Sequence, residues 1–125
     1  MRGPNVFISR PQSTPSIMQI ERFEQEGAHR YECWDDYGCS VVASAVVLEH
    51  GELARLQDIN VSSSYRGRGI GTGLLKQILV DFKNAVIVAN VFEGRVSWYE
   101  RHGFRPVGKE GDLVRIEKSP QRLSF

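Results

Sequence analysis

The chain has 125 residues, 41% hydrophobic and 25% charged, which is enough material for one globular domain with a single core. Its formal net charge of +1 and its scattered basic residues give no electrostatic reason to expect nucleic acid as a partner. No apolar run approaches the length of a membrane helix, and the first residues lack the apolar core of a signal peptide. We therefore expect a cytoplasmic protein that does not associate with membranes.

The first half of the chain is predicted to form short strands joined by tight turns. Residues 1–16 form a polar arm in which only residues 5–9 could make a strand. Apolar alternation and turn residues then predict an antiparallel meander, with strands over residues 17–23, 28–34, 39–49 and 53–61. Segment 12–26 has two interpretations, one short helix or a strand, and its Pro11, Pro15 and β-leaning residues make the strand plausible.

The cysteine and histidine content indicates neither a disulfide framework nor a metal site. Cys33 and Cys39 flank the predicted turn at residues 34–38. One short-loop disulfide would add little to a chain that has its own core, so we expect both cysteines to be reduced. The histidines at positions 29, 50 and 102 are scattered and share no ligand spacing with the cysteines, so we predict no metal.

A glycine-rich turn lies between an apolar strand and an amphipathic helix. Residues 65–75 read YRGRGIGTGLL. Glycines let the backbone approach a ligand closely, and the N–H groups at a helix N-terminus can donate hydrogen bonds to an anion. We therefore predict that the turn binds phosphate. The helix is predicted over residues 72–84, with an apolar side made of Leu74, Leu75, Ile78, Leu79 and Phe82.

The spacing of the glycines excludes two common phosphate-binding patterns. The dinucleotide pattern G-x-G-x-x-G fails because Thr72 and Leu74 stand where a third glycine is required, and no Gly-Lys-Ser/Thr ending is present. The pattern R-x-x-G-x-G is present at Arg66, Gly69 and Gly71. It resembles the pyrophosphate-binding signature of the GNAT superfamily of N-acetyltransferases.

Other segments resemble the same superfamily in the same order. Residues 56–61 are similar to its fourth strand, residues 86–89 to its fifth, and the WYERHGF sequence at 98–104 to its Tyr-Glu-x-x-Gly-Phe segment. A C-terminal hairpin over about residues 104–118 follows. The resemblance implies an α/β (α+β) fold with a mixed, mostly antiparallel sheet, splayed fourth and fifth strands and few flanking helices. It implies one domain over residues 1–125, with a tail at 119–125.

The resemblance further implies an enzyme that moves an acetyl group from acetyl-CoA to an amine acceptor by direct transfer in a ternary complex. Two departures concern the cofactor: Phe92 stands where the family often has Asn, and Arg95 where it has Ala. Phe92 is expected to pack against the cofactor, and Arg95 could approach its phosphates or point to solvent. The family's other cofactor contacts correspond to Ile59, Asn60 and Val61 for the pantetheine arm, and to Arg66, Gly67, Arg68, Gly69, Ile70, Gly71 and Thr72 for the pyrophosphate.

Acetyl transfer needs a stabilised oxyanion and a proton for the departing thiolate. Tyr99 occupies the position of the family's acid, and a backbone N–H near Val61 is the predicted oxyanion donor. Asp58 is the candidate base, although it and Glu49 also fit the pattern of solvated strand carboxylates, and many relatives need only water. The apolar positions 56, 59 and 61 break strict alternation, which predicts a bulge where the fourth strand leaves the fifth.

The family usually has two helices between its first and second strands, and here only about a dozen residues, near 12–23, could supply them. An open acceptor groove would follow, suited to a large acceptor or completed by a second subunit, so we expect a homodimer somewhat more often than a monomer. Two other functions stay open. One is a GNAT-like acyl-CoA-binding or regulatory module without catalysis, and the other is an interaction domain whose glycine turn binds a different phosphate ligand. No residue identifies the acceptor.

Overall fold

A computed structural model describes residues 5–9 and 19–121. Within them the chain forms strands, two α-helices, and two 3₁₀ turns at Ser63–Tyr65 and Glu93–Arg95. The helices are α1 (Ile70–Asp81) and α2 (Val96–Glu100). The strands are β1 (Asn5–Ser9), β2 (Ile20–Gln25), β3 (Ala28–Trp34), β4 (Val41–His50), β5 (Leu53–Leu56), β6 (Asn60–Val61), β7 (Val86–Phe92), β8 (Arg105–Glu110) and β9 (Leu113–Lys118).

All described strands belong to one mixed sheet. Its order is β1-β2-β3-β4-β5-β7-β9-β8, and β6 pairs with β4 beyond the end of β5. Only the β5–β7 pair is parallel among the described strands; the others are antiparallel. The predicted mixed, mostly antiparallel sheet with few helices is therefore confirmed.

The N-terminal meander begins with a tight hairpin. Gln25 pairs with Ala28, and the two turn residues between them have positive φ values, 49° at Glu26 and 82° at Gly27. Two such residues form the mirror-image turn whose twist matches that of the flanking strands. The described part of segment 12–26 is thus strand and turn rather than helix; residues 10–18 lie outside the described residues, as do 1–4 and 122–125.

One face of the sheet carries the core. Residues of α1, α2 and the central strands form a single buried cluster on this face. Ile20 belongs to it with 4% of its surface exposed, whereas Phe23 on the same strand is partly exposed. The largest fully buried side chains of the cluster are Tyr31, Tyr99, Leu56, Ile59, Leu74, Leu75, Ile78, Ile87 and Ile116.

Several element ends differ from the predicted ones for local reasons. Helix α1 begins at residue 70 rather than 72, because the left-handed Gly69 (φ 79°) turns the chain directly into it. It ends before Phe82, whose φ of −116° is not helical. Strand β4 begins two residues later than predicted because Asp35 Oδ1 accepts hydrogen bonds from the N–H groups of Tyr37 and Cys39 and so holds this segment as a turn.

The two cysteines differ in environment. Cys33 is buried in the core, where burial raises the pKa of its thiol to about 12, whereas Cys39 is exposed. Within residues 5–9 and 19–121, no group of three His, Cys, Asp or Glu side chains could hold a metal ion. The helices in these ranges are also too short or too polar to cross a membrane.

Candidate functional site

The segment predicted as one fourth strand is divided by a bulge. Leu56 pairs with Val47 on β4, whereas Asn60 pairs with Ser44. Residues 57–59 therefore oppose only residues 45 and 46, so this segment contains one residue more than its partner. The bulge predicted from the broken alternation is present, and it separates β5 from β6.

The sheet opens beside this bulge. Strand β7 pairs with β5 as far as Ala89, opposite Leu56, and then continues to Phe92 while β6 pairs with β4. The predicted divergence of the two strands is thus located after Leu56 and Ala89. A cleft of about 390 Å³ lies next to it.

Most of the residues predicted to contact the cofactor line this cleft. Those on the strand and turn side are Ile59, Val61, Arg66, Gly67, Gly69, Ile70, Gly71 and Thr72. Four further lining residues are Tyr65, Gly94, Arg95 and Trp98. Asn60, Arg68 and Phe92 are not among the lining residues.

The glycine turn places the N-terminus of α1 at the cleft. Gly67 and Gly69 have φ values of 78° and 79°, a conformation that favours glycine. Gly69 is the N-cap of α1, no side chain caps the helix, and its first turn contains no acidic residue. The first N–H groups of a helix have no intrahelical acceptor, and here they belong to residues that line the cleft. The local field and the free donors suit an anion.

The backbone of Val61 also faces the cleft. The Ser62 N–H donates to the Val42 carbonyl at 2.8 Å, and N–H groups of successive strand residues point in opposite directions. The Val61 N–H therefore points away from β4, toward the side where the sheet has opened. The carbonyl of Val61 accepts a hydrogen bond from Arg66 Nε at 3.1 Å, which ties the signature arginine to the strand.

Tyr99 and Asp58, both predicted catalytic residues, are in direct contact. The Tyr99 hydroxyl donates to Asp58 Oδ1 at 2.6 Å, and the Ile59 N–H donates to the Tyr99 oxygen at 3.4 Å. Burial of the phenol, reinforced by the Asp58 carboxylate, raises the pKa of Tyr99 well above its ordinary value. Tyr99 is fully buried, and neither residue is among those that line the cleft. The hydroxyl is therefore directed at Asp58.

Arg95 lines the cleft and also contacts the bulge. Its Nη1 donates to Asp58 Oδ2 at 2.9 Å and its Nη2 donates to the Ile59 carbonyl at 3.2 Å. The guanidinium thus connects the segment after β7 to the bulge, across the opening of the sheet. The sequence showed an arginine at this position but not its partners.

The remaining candidates lie away from the cleft or at its margin. Phe92 is 61% exposed at the end of β7 rather than packed in the cleft. The Arg68 guanidinium stacks over the Tyr65 ring at 4.9 Å. Glu49 accepts from the Nε2 of the buried His29 at 3.0 Å, at the end of β4 remote from β6.

Trp98, like Tyr65 and Gly94, lines the cleft but was not among the residues predicted from the sequence. Its ring makes an edge contact with Tyr99 at 4.7 Å between centroids, and its Cζ2 would lie 3.8 Å from a Cβ at Gly71. Two adjacent residues of a helix point in different directions, so one aromatic residue is buried and the next faces the cleft. The WY pair alone does not indicate which residue is which.

Comparisons with known proteins agree with this geometry. The sequence matches the family model of an acetyltransferase (GNAT) domain over residues 28–106, more than half of the chain. Among solved structures, ElaA of Escherichia coli is similar, with a TM-score of 0.67 at 18% identity over 76% of this chain and 70% of that one.

Two other structures show the same fold. One is the PaiA N-acetyltransferase of Thermoplasma acidophilum in complex with coenzyme A, with a TM-score of 0.64 at 17% identity over 74% of this chain. The match covers 61% of that protein, less than two thirds of its length. The other is a histone acetyltransferase HPA2 and related acetyltransferase from Corynebacterium glutamicum, with a TM-score of 0.67 at 21% identity over 80% of this chain and 68% of that one.

Proposed function

The chain belongs to the GNAT acetyltransferase family, and from this membership we propose that it transfers an acetyl group from acetyl-CoA to an amine acceptor by direct transfer in a ternary complex. One observation carries the proposal. The uncapped N-terminus of α1, reached through the left-handed Gly67 and Gly69, lines a cleft at the point where the sheet opens. Such a terminus suits a pyrophosphate, and an opened sheet suits an extended arm.

Two parts of the cleft suit two parts of acetyl-CoA, the pyrophosphate and the pantetheine arm. Arg66 and the first N–H groups of α1 would hold the pyrophosphate. The backbone of Val61 presents hydrogen-bonding groups on the side facing the opening, where the pantetheine arm would pair as an added strand. Acetyl-CoA would therefore bring its thioester beside the bulge.

The residues at the bulge supply groups of the kind that acetyl transfer requires. The Val61 N–H would stabilise the oxyanion, Asp58 would accept the proton of the amine, and Tyr99 would donate a proton to the thiolate. Because the Tyr99 hydroxyl is directed at Asp58, it must turn toward the cleft when acetyl-CoA is bound.

A second candidate function has one observation in its favour. Tyr99 is fully buried and its hydroxyl is already bonded to Asp58, a geometry also expected of a purely structural tyrosine. The alternative is a GNAT-like module that binds acyl-CoA without turnover.

An acceptor screen separates the two functions. Release of the CoA thiol from acetyl-CoA would be measured with polyamines, amino acids, aminoglycosides, peptides and protein N-termini. We expect release that depends on one class of amine. Binding of CoA without release in any class would favour the module.

A further inference from the structure

A single guanidinium spans the opening of the sheet. Arg95 ends the 3₁₀ turn that follows β7, so its backbone belongs to the far side of the cleft. Its two terminal nitrogens reach two consecutive residues of the bulge, the carboxylate of Asp58 and the carbonyl of Ile59. The planar guanidinium of arginine has donors in fixed directions and can hold two acceptors in one orientation, whereas the ammonium group of lysine cannot.

These contacts close a ring of four hydrogen bonds. Arg95 donates to Asp58 at 2.9 Å, and the other oxygen of Asp58 accepts from Tyr99 at 2.6 Å. The Tyr99 oxygen accepts from the Ile59 N–H at 3.4 Å, and the Ile59 carbonyl accepts from Arg95 at 3.2 Å. The ring contains one cation, one carboxylate and one fully buried phenol. The position of the phenol proton therefore depends on Arg95 through Asp58.

We propose that Arg95 is a positioning residue, which acts through Asp58 and Ile59 to hold Tyr99 and Asp58 as one proton relay at the thioester. The proposal rests on the proposed acetyl transfer. Arg95 orients Asp58 so that one carboxylate oxygen stays on the Tyr99 hydroxyl, and it fixes the Ile59 peptide whose N–H reaches the same hydroxyl. Without the two Arg95 contacts, neither the Asp58 carboxylate nor the Ile59 peptide would be held in a single orientation.

The relay moves one proton from nitrogen to sulfur. The amine nitrogen forms a bond to the acetyl carbon, and its proton passes to Asp58. Once protonated, Asp58 can donate to the Tyr99 oxygen, so the Tyr99 hydroxyl hydrogen is free to turn toward the cleft. As the carbon–sulfur bond breaks, this proton passes to the sulfur, giving the CoA thiol. Tyr99 then regains a proton from Asp58 through the 2.6 Å hydrogen bond, which restores both groups.

The ordinary interpretation of this contact is a surface ion pair of little consequence. The Arg95 and Asp58 side chains are 43% and 24% exposed, and pairs with such exposure contribute little to stability. This pair differs because Asp58 is also bonded to a buried hydroxyl and Arg95 to a backbone carbonyl. The Arg95 charge also lowers the pKa of Tyr99, opposing the larger increase caused by burial and by Asp58. An effect on Tyr99 therefore distinguishes the two interpretations.

The test is NMR of protein labelled with ¹³C at the tyrosine Cζ, an atom whose shift reports the state of the hydroxyl. The Tyr99 resonance is identified by its absence in Tyr99→Phe. We expect Arg95→Met, which removes every donor, to shift this resonance, and Asp58→Asn to shift it as well. In the Asp58→Asn background, Arg95→Met should shift the resonance less than it does in the wild-type protein, because only its effect through Ile59 remains.

Two other side chains of the protein serve as controls for this experiment. Glu93→Gln changes an exposed residue of the same turn that pairs with Lys109 at 3.3 Å, and it should leave the Tyr99 resonance in place. The Tyr31 resonance, from a buried hydroxyl that donates to Asp81, should not move in any variant. If Arg95→Met does not fold, Arg95→Lys replaces it and should also shift the Tyr99 resonance, because the charge stays but the planar guanidinium that contacts both Asp58 and Ile59 is lost.

An unchanged Tyr99 resonance in the Arg95 variant, or shifts that simply add in the double variant, would overturn the proposal. Once an acceptor amine has been identified, Arg95→Met should lower kcat about tenfold or more while the Kd for CoA stays within about threefold of the wild-type value. An equal loss of kcat in Glu93→Gln would contradict it. Failure of the wild-type protein to bind CoA would instead contradict the proposed function and leave the hydrogen-bond coupling intact.

Discussion

Two buried tyrosines have nearly the same local chemistry at different places in the fold. Tyr99 and Tyr31 are both fully buried, and each hydroxyl donates to a carboxylate at 2.6 Å. In both, burial and the carboxylate raise the pKa of the phenol. Tyr99 lies at the bulge, whereas Tyr31 donates to Asp81 of α1. Comparing variants of the two tyrosines therefore tests the catalytic role proposed for Tyr99.

Replacing each tyrosine by phenylalanine removes only the hydroxyl. Both variants should lower the free energy of unfolding by about 1–3 kcal/mol, because each removes the hydrogen bond of a buried hydroxyl to a carboxylate. Only Tyr99→Phe should lower kcat, by about ten- to a thousandfold, with CoA affinity nearly unchanged. Thermal unfolding, calorimetry and thiol release measure the three quantities.

The pH dependence gives a further check on the same residue. Because the pKa of Tyr99 is raised above its ordinary value of 10.0, the phenol keeps its proton through neutral and mildly alkaline pH. The kcat of the wild-type protein should therefore show no decline caused by Tyr99 below about pH 10. An equal kcat in Tyr99→Phe and wild type would identify this tyrosine as a packing residue.

The elements predicted well from the sequence are those whose conformation is determined by residues close together in the chain. The tight hairpin turn at Glu26 and Gly27, the glycine turn before α1 and the alternation of β3 all depend on neighbouring residues. The bulge was predicted because the apolar positions 56, 59 and 61 cannot all face one side of a regular strand. The start of α1 was missed because Gly71 is a poor helix former that the tertiary structure nevertheless holds in the helix. Its end was missed because the apolar pattern continues to Phe82, whose φ of −116° is not helical.

The contacts across the opening could not be predicted from local patterns. Tyr99 and Asp58 are 41 residues apart, and Arg95 and Asp58 are 37 apart. The contacts of Asp58 with Tyr99 and Arg95 depend on how far β7 continues beyond β5, and no single segment of the sequence specifies that length. Tyr99 and Asp58 were predicted separately as acid and base, whereas their direct contact, the partner of Arg95 and the place of Trp98 were not foreseen.

The glycine turn and α1 permit a matched test of the cofactor site. A Cβ at Gly71 would lie 3.4 Å from Val61 Cγ2 and 3.8 Å from Trp98 Cζ2, whereas one at Gly73 would meet no atom within 4 Å. Both glycines lie inside α1, and only Gly71 lines the cleft. Gly71→Val should therefore abolish CoA binding, and Gly73→Val should bind within about threefold of wild type.

Circular dichroism and thermal unfolding establish that both valine variants are folded, and calorimetry measures their affinities for CoA. Undiminished binding by folded Gly71→Val would show that the ligand lies elsewhere.

At the scale of the whole molecule, the fold divides the sheet into a covered face and an opening. Helices α1 and α2 pack on one face in a single core, and the bulge and the continuing β7 leave the gap between β6 and β7. The arrangement places the uncapped N-terminus of α1 and the Arg95 contacts at the same cleft. The expected homodimer stays a prediction.

The central claim is that this cleft binds coenzyme A through its pyrophosphate and pantetheine arm. Calorimetric titration of the wild-type protein with CoA, dephospho-CoA, ATP and NAD tests it most directly. We expect CoA to bind, dephospho-CoA to bind with a modest loss, and ATP and NAD to bind at least about tenfold more weakly, because neither has an arm that can pair with β6. Binding of ATP or NAD as tight as that of CoA, or no binding of CoA, would contradict the claim.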